Sequence, residues 1–166
     1  MKSRLFASVA VCAAVMLGAS GCAMISPQGT TIPYSPGDGV NVADAPGAAL
    51  LVRNALIVAN EDGTVGNMIA AVVNLTGDPQ TLNVQVGTGS SAINETVPVP
   101  AHSVASLGGS ADPLRLDGLN VKPGATVSVY FQSGNASGET ANVPVLDGSE
   151  EYLASYVPAP AATPAQ

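Results

Sequence analysis

The residues here that could do chemistry are few and far apart. His102 is the only histidine among 166 residues, and Ser103 follows it directly. As a general base it would need a nucleophile and an orienting carboxylate around the ring. Ser103 cannot be that nucleophile, because neighbours on a strand point to opposite faces. Distant serines with Asp112 or Asp117 would have to converge in space, and no GxSxG elbow is present. The chain therefore reads as a non-enzyme without a cofactor. Soft-metal chemistry meets the same shortage, since copper needs several thioether, thiolate or imidazole donors together. Beyond residue 22 the candidates are His102, Met68 in a strand segment and Met24 near the start, so His102 and Met68 stand only as weak metal candidates. Calcium would need alternating oxygen ligands closed by a Glu. Neither Asn60-Glu61-Asp62-Gly63-Thr64 nor the pair Asp112 and Asp117 has that spacing; acids in such places commonly form turns.

Cysteine chemistry concentrates at the N-terminus. Lys2 and Arg4 precede an apolar run from Leu5 to Leu17, broken only by the polar Ser8. This is a positive segment followed by a hydrophobic one, as in export signals. The run is shorter than the roughly 20 residues that span a bilayer. It closes on Leu17-Gly18-Ala19-Ser20-Gly21-Cys22, which resembles the lipobox of bacterial lipoproteins. That motif implies cleavage before Cys22 and attachment of diacylglyceryl and fatty acyl groups such as palmitate to it. Two acyl chains hold a protein at a membrane where one does so only marginally. The expectation is a lipid anchor on Cys22 at the extracytoplasmic face; an ordinary secretory signal with an incidental cysteine is the alternative. Cys12 would leave with the signal, so no thiol remains for a disulfide or a thiolate site.

Removal of residues 1–21 leaves about 145 residues, enough for one domain with a real core. Of the charged residues it keeps Arg53, Arg115 and Lys122 against all 12 acids. Phosphate binding needs clustered Lys and Arg, so nucleic acid is an unsuitable partner, and anionic lipid surfaces are equally disfavoured. The expected partners are the membrane, through Cys22, and an envelope protein of unknown identity. Asn74-Leu75-Thr76, Asn94-Glu95-Thr96 and Asn135-Ala136-Ser137 match the glycosylation sequon, but a lipobox implies a bacterium, and these are read as chance.

The elements that would position any site are short strands. With charged residues at 10% and no Trp, and with Val, Thr, Gly and Pro abundant, the chain favours strands and turns over amphipathic helices. Residues 22–39 read as anchor and spacer, 40–157 as the domain and 158–166 as a Pro/Ala-rich tail. Strand signals fall at Ala49–Ala59, Asn67–Leu75, Thr81–Val86, Ala92–Val99, His102–Leu107, Leu114–Val121, Thr126–Gln132 and Ala141–Val145. Leu82, Val84 and Val86 alternate with Asn83 and Gln85, and Val127, Val129 and Phe131 with Ser128, Tyr130 and Gln132. Pro98 and Pro100 mark an edge strand, because proline donates nothing to a ladder. Seven or eight such strands predict an all-β, immunoglobulin-like antiparallel sandwich, with a barrel as the alternative.

The lipobox, the segments LLVRNALIVA and NMIAAVVNLTGDPQTLNVQV, and the strand VKPGATVSVYFQ together resemble small actinobacterial surface lipoproteins of the LpqE type. These are similar in turn to periplasmic copper chaperones of the PCu(A)C group. The resemblance covers residues 39–157 and implies a β-sandwich. In the chaperones two histidines and two methionines hold Cu(I), including a His-x-Met pair. Here Ser103 and Val104 follow His102, so the pair is missing. The expected function is a membrane-anchored, non-enzymatic binding or scaffolding domain; the alternative is an extracytoplasmic copper chaperone with a divergent site.

Overall fold

The computed structural model describes residues 37–159. Cys22, the export segment, the spacer up to residue 36 and the tail from residue 160 lie outside the described residues.

Alternation of side chains sets the architecture. In β3 (Gln80–Val86) Leu82, Val84 and Val86 are buried while the residues between them are not; β7 (Thr126–Ser133) turns Val129 and Phe131 inward in the same way. Such strands must hide one face against another sheet. β3 and β7 lie between the edge strand β4 (Ile93–Val99) and β8 (Glu139–Leu146). On the other side stand β1 (Leu50–Ala59), β2 (Val65–Asn74), β5 (Ser103–Leu107) and the short β6 (Leu114–Asp117). The order is β4-β3-β7-β8-β1-β2-β5, with β6 also on β2, and the eight strands form a nearly closed, barrel-like sandwich. The core between the layers is largely Val, with Ile57, Met68, Leu82, Leu116 and Phe131.

The all-β sandwich expected from the pattern is thus present, and β4, with Pro98 inside it and Pro100 just beyond it, is an edge. One pairing departs from antiparallel: β1 and β8 run parallel over Ile57↔Val145 and Val58↔Leu146. That short contact is where the two layers join. Two expected strands are shorter. β6 stops at Asp117 because Gly118 and Asn120 adopt left-handed backbone at φ 79 and 53, and β5 starts at Ser103 because His102 has φ 49. Both are turn conformations that end a ladder.

β1 carries a bulge. Arg53 pairs with Ala71 and Leu56 with Ile69, so one extra residue lies between them, and Asn54 takes φ 51. The bulge receives the entering chain. Gly39 N donates to Asn54 Oδ1 at 3.1 Å, and Val40 bridges Ala55. Arg53 holds the same segment, donating to Val42 O and pairing with Asp44 Oδ1 at 2.7 Å.

Beyond the bulge, Ala55 to Ala59 are buried on both faces. The inner face meets the core. The outer face, Leu56 and Val58, is roofed by α1 (Glu151–Ala154) through Leu153, with Ile69, Leu146 and Tyr156 around it. Gly109 N donates to the Tyr156 hydroxyl at 2.8 Å and the Asn67 amide to Tyr156 O at 2.9 Å, which pins the roof. Tyr152 donates to Asp38 Oδ2 at 2.6 Å. That bond, assisted by desolvation and nearby acids, holds the Tyr152 pKa above the usual tyrosine value. Among the described residues no helix is long and apolar enough to cross a membrane.

Candidate functional site

His102 sits at the tip of the turn from β4 to β5, exposed to solvent. Its backbone N donates to Thr76 O at 3.0 Å, which draws the loop after β2 beside it. Because His102 lies in the turn and not on β5, the alternation of strand neighbours does not separate it from Ser103; what occupies Ser103 is its own hydroxyl bond to Pro100 O at 2.7 Å. Around the imidazole lie Val73, Asn74, Leu75, Ser103 and Val104, which line a shallow depression. Leu75 and Val104, 68% and 58% exposed, give it apolar walls beside the polar Asn74 and Ser103. No carboxylate lines it, and neither Asp112 nor Asp117 comes near; Asp117 accepts from Arg115 Nε at 3.0 Å.

Met68 is 0% exposed, on the core face of β2 between Ile57 and Leu114. From Met68 to Asn74, where the His102 turn docks, is about 20 Å along the strand. The two weak metal candidates are therefore kept apart, and Met68 is sealed within apolar side chains. The acids after β1 are a turn and no more: Asn60 Oδ1 accepts from Val65 N at 3.1 Å and its Nδ2 donates to Thr64 Oγ1 at 3.0 Å. Glu61 and Asp62 remain exposed beside it. Among the described residues no group of three or more His, Cys, Asp or Glu side chains gathers closely enough to hold a metal ion.

Of the sequon asparagines, Asn74 is 1% exposed and cannot take a glycan as folded. Its amide donates to Asp78 O, Val99 O and Pro100 O, and its Oδ1 accepts from Thr76 N and Oγ1. Asn94 and Asn135 are exposed.

Sequence reasoning missed a second concave surface. The outer face of β3, β4 and β7 forms a groove of about 270 Å³ lined by Asn83, Gln85, Asn94, Thr96, Tyr130 and Gln132, with Glu95 and Val84. Alternation had already assigned Asn83, Gln85, Tyr130 and Gln132 to the outward face. What it could not supply was the register that brings them side by side.

No family model matches the chain, and no curated protein matches it in sequence. Solved structures do. The apo PmoF2 PCuAC domain is 16% identical with a TM-score of 0.51, over 67% of this chain and 98% of that domain. The copper-bound PCuAC domain from PmoF2 is also 16% identical, with a TM-score of 0.47 over 66% and 97%. The apo PCuAC domain from PmoF1 gives 16% and 0.48, over 64% and 97%. At this identity the likeness to the apo PmoF2 domain is one of fold alone.

Proposed function

We propose that this chain is an exported, non-enzymatic binding domain on a PCuAC-type sandwich, held at the outer face of a membrane by lipid on Cys22. The observation that carries the binding reading is the state of His102: exposed, with the hydroxyl of the adjacent Ser103 committed to Pro100 O, and with no carboxylate and no second soft-metal donor lining its depression. The lipobox at Leu17–Cys22 and the acidic character of the rest of the chain support export and anchoring.

A second reading, an extracytoplasmic copper chaperone with a divergent site, is favoured by the fold. The likeness to a PCuAC domain speaks for this reading more than for a scaffold. With Met68 sealed in the core, the donors left to such a site are His102 and Met24, the latter outside the described residues. Titration of the full chain with Cu(I) against a competing chelator separates the two. A binding domain without metal shows no stoichiometric site. A 1:1 site that disappears in His102→Ala establishes the chaperone and ends the first reading.

A further inference from the structure

Register turns the outer face of β3, β4 and β7 into a grid. Thr96 pairs with Asn83, which pairs with Gln132; Asn94 pairs with Gln85, which pairs with Tyr130. Adjacent strands stand about 4.8 Å apart and alternate residues of one strand about 7 Å apart, so two rows of three polar side chains cover the footprint of a sugar ring or two.

The chemistry of the grid is uniform. Every member is a neutral amide or hydroxyl, in a chain whose net charge is −7. A sheet face that only meets water is ordinarily dressed with Lys, Glu, Arg and Asp. The central amides are also uncommitted. Asn83 and Gln85 are half-buried, and their side chains make no hydrogen bond to another described residue. The flanking members are held in place. Gln132 donates to Ala136 O at 3.0 Å, and the Tyr130 hydroxyl accepts from Gly138 N at 3.1 Å. A Cβ at residue 138 would collide with the Tyr130 ring, so glycine there lets the ring lie against the backbone.

We propose that this groove is a docking platform for an uncharged, hydroxyl-rich polysaccharide. A sugar hydroxyl both donates and accepts, and so does a carboxamide, so Asn83 and Gln85 can each meet a pair of neighbouring hydroxyls. Tyr130 offers a ring with an apolar body beside them. A platform on a rigid sheet loses little freedom when it is filled. Charge selects against the other polymers. None of Arg53, Arg115 and Lys122 lines the groove, and Glu95, paired with the inward-facing Val84, lies on the other face of β4, so the groove offers no cation to an anionic glycan or a phosphate-bearing chain, and the net charge of −7 disfavours both. A protein interface would centre on aromatic, Met or Arg anchors, and here the single aromatic has its hydroxyl engaged.

The inference deepens the reading of the domain as a binding module and is independent of copper and of the lipid. Its test uses the full chain purified in detergent and applied to insoluble glucan, mannan and arabinan, with polygalacturonate as the anionic control. The expected result is retention on at least one neutral polymer, little on the anionic one, and a loss of affinity of about tenfold in Asn83→Ala/Gln85→Ala. Far-UV circular dichroism checks that the double variant is folded. Tyr130→Phe, which keeps the ring, retains binding. The proposal is overturned if no neutral polymer retains the protein, if the anionic one is preferred, or if the folded double variant binds as the parent does. Each of those results leaves the wider binding-module reading standing, because that reading is decided by the copper titration.

Discussion

At the scale of single residues, the polar side chain on which the fold depends most is Asn74. It continues the inward series Met68, Ala70 and Val72 along β2, yet places an amide where those residues place apolar groups. The amide is tolerated because each of its polar atoms has partners, in the loop after β2 and at the β4–β5 turn. Ser133, the other buried polar residue among those described, has a hydroxyl with no partner among the described residues, so burial alone does not explain Asn74. Asn74→Ala is expected to lower stability by about 3 kcal/mol, since it removes several bonds and strands buried carbonyls. Urea unfolding measures this; a loss under 1 kcal/mol would show that the loop closes without the amide. The placement was partly legible. The period of two assigns position 74 to the inner face, but Asn-Leu-Thr also reads as a surface motif, and only the contacts of β4 with the loop decide between them.

Elements divide into those with a repeating pattern and those without one. β3 and β7 were legible because alternation over six or more residues has one interpretation, a half-buried strand. The segment Ala55–Ala59 has no alternation, and its meaning depends on a partner almost 100 positions away. Leu153 and Tyr156 cover its outer face from a helix of four residues, too short to show any helical period. The Asn54 bulge is equally hidden, because an asparagine within a strand segment does not announce left-handed backbone. The roof gives the element-scale prediction. Leu153 is 4% exposed and closes the small cluster over Leu56 and Val58, so Leu153→Ala should cost about 3 kcal/mol. Hydrogen exchange locates the effect: amides of the β1–β2 ladder at Leu56 and Ile69 lose protection before those of β3 and β7. Uniform loss across both layers would mean that the roof and the sandwich unfold as one unit.

For the whole molecule, the fold and its attachment are separable questions. The described sandwich, residues 37–159, contains no cysteine. The period-two pattern was sufficient to anticipate the sandwich, while the groove and the isolation of His102 depended on register and on which strands become neighbours. The anchor depends on neither, only on the local offsets around Cys22. If the lipobox is used, two acyl chains, each buried methylene adding about 0.8 kcal/mol, keep the protein at the membrane. Cys22→Ala should then abolish labelling by radioactive palmitate and move the protein from the detergent phase to the aqueous phase, or leave it as an uncleaved precursor. Thermal unfolding of the sandwich is expected to be unchanged, because the strands and the core cluster are built from residues 40–153. Polysaccharide retention should also persist in the aqueous fraction, since the groove on β3, β4 and β7 is formed within the sandwich. Continued labelling of Cys22→Ala, or an unlabelled parent, would remove the anchor from this account and leave the sandwich and its groove as they stand.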